Sequence, residues 1–79
     1  MRDRESEIIG KKLVERLIEI RKDSDLSQYK IAKRSGLSTS GVNSIENDRR
    51  IPNIVTCLKL CKAMDVKLWK VLKEIEDAL

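Results

Sequence analysis

The chain has 79 residues, enough for one domain with a small core, so association with a second copy would add useful burial. Its only aromatics are Tyr29 and Trp69, Phe and His are absent, and its apolar residues are mostly Leu, Ile and Val set among charges, which suits a small helical protein. No apolar run reaches the length of a membrane span and the charged start MRDRESE lacks the apolar stretch of a secretion signal, so the expected compartment is the cytoplasm.

Ile9, Leu13, Leu17 and Ile20 recur at helical spacing and predict a first amphipathic helix over about 6–22. The polar cluster KDSDLSQYK ends it, and the Ser27 hydroxyl is placed to cap a second helix at about 28–35. Gly36, with no β-carbon to clash in a left-handed turn, stops that helix, and Leu37 follows as an apolar anchor. Ser38 is the next cap, so SGLSTSGVNSIE opens a third helix over about 39–46, with Val42 and Ile45 facing inward. NDRRIPN is a loop: Pro52 bars a helix upstream, and Asn53 caps a fourth helix over about 54–64 with Leu58, Cys61 and Met64 on its apolar face. After MDV, the residues Leu68, Val71, Leu72, Ile75 and Leu79 mark a fifth helix over about 67–79. The pattern predicts an all-α fold, a single domain over 1–79 with no repeat and no internal linker.

The net charge of +4 is unevenly spread: residues 21–50 hold seven basic and four acidic side chains. Arg21, Lys22, Lys30, Lys33, Arg34, Arg49 and Arg50 flank the third helix, a distribution that favours polyanions, although on charge alone a solvated helical face is the better reading. Cys57 and Cys61 lie one helical turn apart in an apolar stretch and read as small core hydrophobes; a closed zinc site would lack ligands, and a disulfide within one helix is geometrically awkward. With no His, no nucleophile and base pair and no carboxylate cluster, an enzyme is not expected, and neither a cofactor nor a small-molecule ligand is indicated.

From LIEIR at residues 17–21 through LSQYKIAKRSGLSTSGVNSIENDRRIP, the sequence resembles the Cro/CI-type, or XRE, helix-turn-helix domains, and the likeness continues to about Leu72. Arg21, Ser27, Gln28, Ala32, Gly36, Val42, Ile45, Glu46, Asn47, Arg49, Arg50 and Pro52 carry it, with the motif itself over about 27–46. The resemblance implies a compact five-helix bundle of the lambda-repressor-like type, with the second and third helices forming the helix-turn-helix. It also implies a sequence-specific regulator of transcription, a homodimer on a two-fold symmetric operator in double-stranded DNA. Thr39, Ser40 and Ser44 would face bases with Asn43 adjacent and able to pair with adenine, while Gln28, Ser38, Asn47, Arg49 and Arg50 would hold phosphates. Arg21 and Glu46 match a structural ion pair linking the first helix to the end of the third.

Three departures from the family pattern qualify those expectations. Ser44 stands where a longer Arg, Lys or Gln is common and Thr39 is too short to brace Gln28, so strong guanine readout is missing and specificity leans on DNA shape. Gly41 lowers the helix propensity of the third helix. Asp25, Asp48 and Asp65 stand where the family often has Gly, so those turns are expected to be tighter or differently wound. The fifth helix, with Trp69, Leu72, Ile75 and Leu79 and joined by Val55, is expected to form the dimer contact; the alternative has Trp69 folding back on the first helix. A protein-interaction module using the same fold, antitoxin-like or binding a regulator, is the competing function.

Overall fold

The computed structural model describes residues 4–79; the first three residues of the charged start lie outside it. Five helices follow in order: α1 (Arg4–Asp23), α2 (Gln28–Ser35), α3 (Thr39–Glu46), α4 (Ile54–Ala63) and α5 (Leu68–Asp77). They match the expected elements, with end shifts of one or two residues, where helices fray. Ser27, Ser38 and Asn53 cap α2, α3 and α4, each side chain accepting from the backbone N–H three residues on, at 3.0, 3.0 and 2.8 Å. Among the described residues no helix is long and apolar enough to cross a membrane.

Four of the five helices stop in the same way. After α1, Asp25 is left-handed at φ 57°, its N–H reaches the Lys22 carbonyl, and the next N–H, of Leu26, reaches back to Arg21. Gly36 (φ 74°) with Leu37, Asp48 (φ 59°) with Arg49, and Asp65 (φ 59°) with Val66 repeat the pattern after α2, α3 and α4. This is the Schellman stop, in which two orphan carbonyls of the last turn are satisfied and the residue after the left-handed one folds back over the helix. The three aspartates therefore do not wind their turns differently, as the sequence suggested; a short polar side chain tolerates left-handed geometry, and two hydrogen bonds per turn hold it there.

The core draws Leu13 and Leu17 from α1, Leu26 from the first turn, Ile31 and Ala32 from α2, Val42 and Ile45 from α3, Cys57, Leu60 and Cys61 from α4, and Leu68, Val71 and Ile75 from α5. Leu26 follows its left-handed aspartate straight into this core. Ala32, 2% exposed, sits where α2 packs against α3 and α4, and a larger side chain there would push the helices apart. α1 lies across α5 and α3, closing the bundle. Both cysteines are buried free thiols, and burial pushes the Cys61 thiol up to about 11 and Cys57 in the same direction, so both stay protonated and apolar at neutral pH.

Two expectations about the apolar faces are corrected. Leu58 is not a core residue of α4 but is 51% exposed, because the buried face of that short helix runs through Cys57, Leu60 and Cys61. Ile75 is buried in this chain's own core beside Val71, which withdraws it from any surface offered to a partner. Trp69 does not fold back on α1: it is 61% exposed, beside Leu58 and the half-buried Leu72.

Candidate nucleic-acid interface

The two short helices of the motif are held at a fixed angle by their joint. Gly36 ends α2, Leu37 packs on the core, and Ser38 starts α3 immediately afterwards. Val42 and Ile45 anchor the inner face of α3, leaving Thr39 and Ser40 exposed and Asn43 and Ser44 half-buried on the outside. Gly41 has a local reason to be glycine: a β-carbon there would lie 2.9 Å from the capping hydroxyl of Ser38 and 3.6 Å from the Arg50 guanidinium. The cap and the arginine thus share the space that a side chain at this point would take.

Arg21 and Glu46 join the ends of α1 and α3. The guanidinium donates Nε to Oε2 at 2.6 Å and a second nitrogen to Oε1 at 2.8 Å, and its remaining arm reaches the Leu26 carbonyl at 2.8 Å. The fork is bidentate, the strongest geometry for this pair, and it borders apolar Leu17, Ile31, Val42 and Leu60. Arg21 is therefore engaged inside the molecule, and the basic surface consists of Lys22, Lys30, Lys33, Arg34, Arg49 and Arg50, all exposed. Lys33 lies over the Tyr29 ring, 5.4 Å from its centre.

Glu46 has a third partner, Gln28, whose Nε2 donates to Oε1 at 3.0 Å. The other end of that carboxamide accepts from Asn43 Nδ2 at 3.1 Å. A residue of α3 does brace Gln28, then, but it is Asn43 and not the residue at position 39. With both ends engaged, what the Gln28 side chain can still give a phosphate is its second amide hydrogen. Asn47 turns its side-chain amide back to the Asn43 carbonyl at 2.8 Å, while Ser38 accepts from Gly41 N and lies 3.4 Å from the Ser40 hydroxyl. Arg49 and Arg50 follow the turn after α3, and the Arg50 guanidinium comes back to the first turn of that helix, where it approaches Gly41.

The comparisons with known proteins agree with this architecture. A helix-turn-helix family model matches residues 17–68. The chain is 35% identical over 64 residues to the antitoxin HigA1 of Mycobacterium tuberculosis, covering 81% of this chain and 43% of that protein. It is 41% identical over 61 residues to the HTH-type transcriptional regulator PuuR of Escherichia coli, covering 77% of this chain and 33% of that protein. It thus spans less than half the length of either relative. A crystal structure of the restriction-modification controller protein C.AhdI from Aeromonas hydrophila matches at a TM-score of 0.71 with 37% identity, over 76% of this chain and 91% of that one. With the motif built from α2 and α3, the joint at Gly36 and these matches together, the chain belongs to the Cro/CI-type, or XRE, helix-turn-helix family.

Proposed function

We propose that the protein is a sequence-specific, double-stranded-DNA-binding regulator of transcription, cytoplasmic and non-enzymatic, working as a homodimer on a two-fold symmetric operator. The observation that carries this reading is the outer face of α3: short polar side chains on a helix seated by Val42 and Ile45, with Arg49 and Arg50 beside it. Short side chains let a helix lie deep in a major groove, where Thr39, Ser40, Asn43 and Ser44 meet base edges. Ser38, Asn47, Arg49 and Arg50, with what remains of Gln28, face the phosphates that fix register. The exposed apolar side chains of Val55, Leu58, Trp69 and Leu79, with the half-buried Leu72, suit a second copy placed to set two α3 helices about 34 Å apart, one helical turn of DNA.

Binding to duplexes selected from random sequence, measured against salt, tests the proposal. A groove reader selects a two-fold symmetric site and loses affinity steeply as salt rises, because bound phosphates release counterions. Asn43→Ala weakens the selected site by roughly 1 to 3 kcal/mol and random DNA little; an equal loss on both would remove Asn43 from base reading. The likeness to an antitoxin and the exposed Trp69 favour a second reading, a protein-docking module on the same fold, marked by a shallow salt dependence and no selected site.

A further inference from the structure

We infer that Arg21, Glu46 and Gln28 form a relay of hydrogen-bond polarity that fixes which way the Asn43 carboxamide faces, making Gln28 and Glu46 positioning residues for the base that Asn43 meets. The inference rests on the reading of α3 as a groove helix. Its steps follow from which groups can only donate and which can only accept. A guanidinium has no acceptor and an ionised carboxylate has no donor, so Arg21 and Glu46 meet in one polarity only. Glu46 Oε1 has room for one more donor, and the Gln28 carboxamide must therefore turn its nitrogen toward it, at 3.0 Å. The oxygen of the same planar group then faces the other way, onto Asn43, which must answer with Nδ2, at 3.1 Å.

Asn43 is left with one amide hydrogen and Oδ1 side by side, a donor next to an acceptor. That is the pair complementary to the N7 acceptor and N6 donor of adenine in the major groove. A flipped Asn43 would set its oxygen against the oxygen of Gln28, acceptor against acceptor. Without the relay, the last torsion of an asparagine is broad and two-fold, and the carboxamide would present either order to the groove. The head of the relay is shielded, the Arg21 and Glu46 side chains being 11% and 13% exposed, so water competes little for the fork and its polarity is held. A salt bridge between the ends of α1 and α3 thereby acts on sequence preference without touching DNA.

Base preferences selected from randomised duplexes by the wild type, Asn43→Ala, Gln28→Met and Gln28→Glu test the relay. Asn43→Ala marks the base pair concerned. Gln28→Met removes both of its links, and preference at that pair falls by roughly three- to tenfold, the factor expected from having to order one freed side chain on binding. Gln28→Glu keeps an acceptor facing Asn43 and retains the preference, while its second carboxylate beside Glu46 lowers stability. A role for Gln28 in folding or phosphate contact alone moves affinity for all sequences in parallel and leaves the preference where it was. Full preference in Gln28→Met, or loss in Gln28→Glu equal to that in Gln28→Met, overturns the relay with the groove reading intact; no change of any preference in Asn43→Ala overturns both. Should Gln28→Met fail to fold, hydrogen exchange of the Asn43 side-chain amide in the DNA-free wild type decides, slowed if the relay holds and at the free rate if it does not.

Discussion

The Arg21–Glu46 fork makes a stability prediction that can be worked through from its geometry. In Glu46→Leu the guanidinium keeps the Leu26 carbonyl and loses both carboxylate bonds, leaving a charge on the apolar wall of Leu17, Ile31, Val42 and Leu60. In Arg21→Met the carboxylate keeps Gln28 alone. Breaking a buried pair from one side costs about 3 to 5 kcal/mol, and the small exposure of both side chains, 11% and 13%, favours the lower end, about 3 kcal/mol. For a domain of this size that is a fall in Tm of about 12 to 24 °C, and a large share of a total stability of about 4 to 12 kcal/mol. The double variant removes both charges together and leaves the Leu26 carbonyl short of a donor and the half-buried Gln28 amide short of an acceptor; the carbonyl costs about 1 to 3 kcal/mol, the amide less because water reaches it, and new apolar contact offsets part of both. Urea unfolding followed by circular dichroism of the four proteins should therefore place the double variant no lower than either single one. Losses that simply add would show that the two side chains act independently, and the pairing argument would fall.

Other expectations follow from single features. Arg49→Ala and Arg50→Ala should each flatten the log-log dependence of DNA affinity on salt by about one unit, and an unchanged slope would return that arginine to solvent. The buried thiols give an alkaline limit. Their folded pKa values are raised, so the unfolded chain loses its thiol protons first; their contribution is whole below 9.0 and lost as pH climbs to about 11, and a Cys57→Ala, Cys61→Ala double variant should lose less stability across that window than the wild type. Trp69→Ala should shift sedimentation equilibrium from dimer toward monomer with the helical spectrum unchanged; unfolding without a change in association would place Trp69 in the monomer's own packing.

The parts of the fold legible in the sequence are those decided within one turn of chain. Ser27, Ser38 and Asn53 bond a backbone amide three residues away, and Val42 and Ile45 lie three apart on one face, so sequence spacing contains the answer. Periodicity could not say how far round a helix the core extends, which is why Leu58 and Ile75 were assigned to the wrong surroundings: α4 turns Leu58 outward and α5 turns Ile75 inward. The links from Asn43 to Gln28 and from Gln28 to Glu46 span 15 and 18 residues, and they depend on carboxamides from two helices arriving within about 3 Å. No spacing rule encodes that distance. What the sequence did hold was the inventory: an acceptor-only carboxylate at position 46 and two side-chain amides.

The repeated helix stop carries a clearer signal. In three of the four Schellman turns the residue after the left-handed one is apolar and folds onto the protein: Leu26 and Leu37 follow Asp25 and Gly36, and Val66 follows Asp65. That apolar contact normally accompanies the motif. After α3 the same backbone, with the same hydrogen bonds, carries Arg49 instead, exposed like its neighbour Arg50. The local contact is forgone at one turn only, the one that ends the candidate recognition helix. Sequences that specify a fold consistently tend to break their own rules where function asks for it. Here a charge in place of an anchor sets Arg49 beside Arg50 in the turn after α3, and the proposal that the two hold phosphates is what the Arg49→Ala salt slope tests directly.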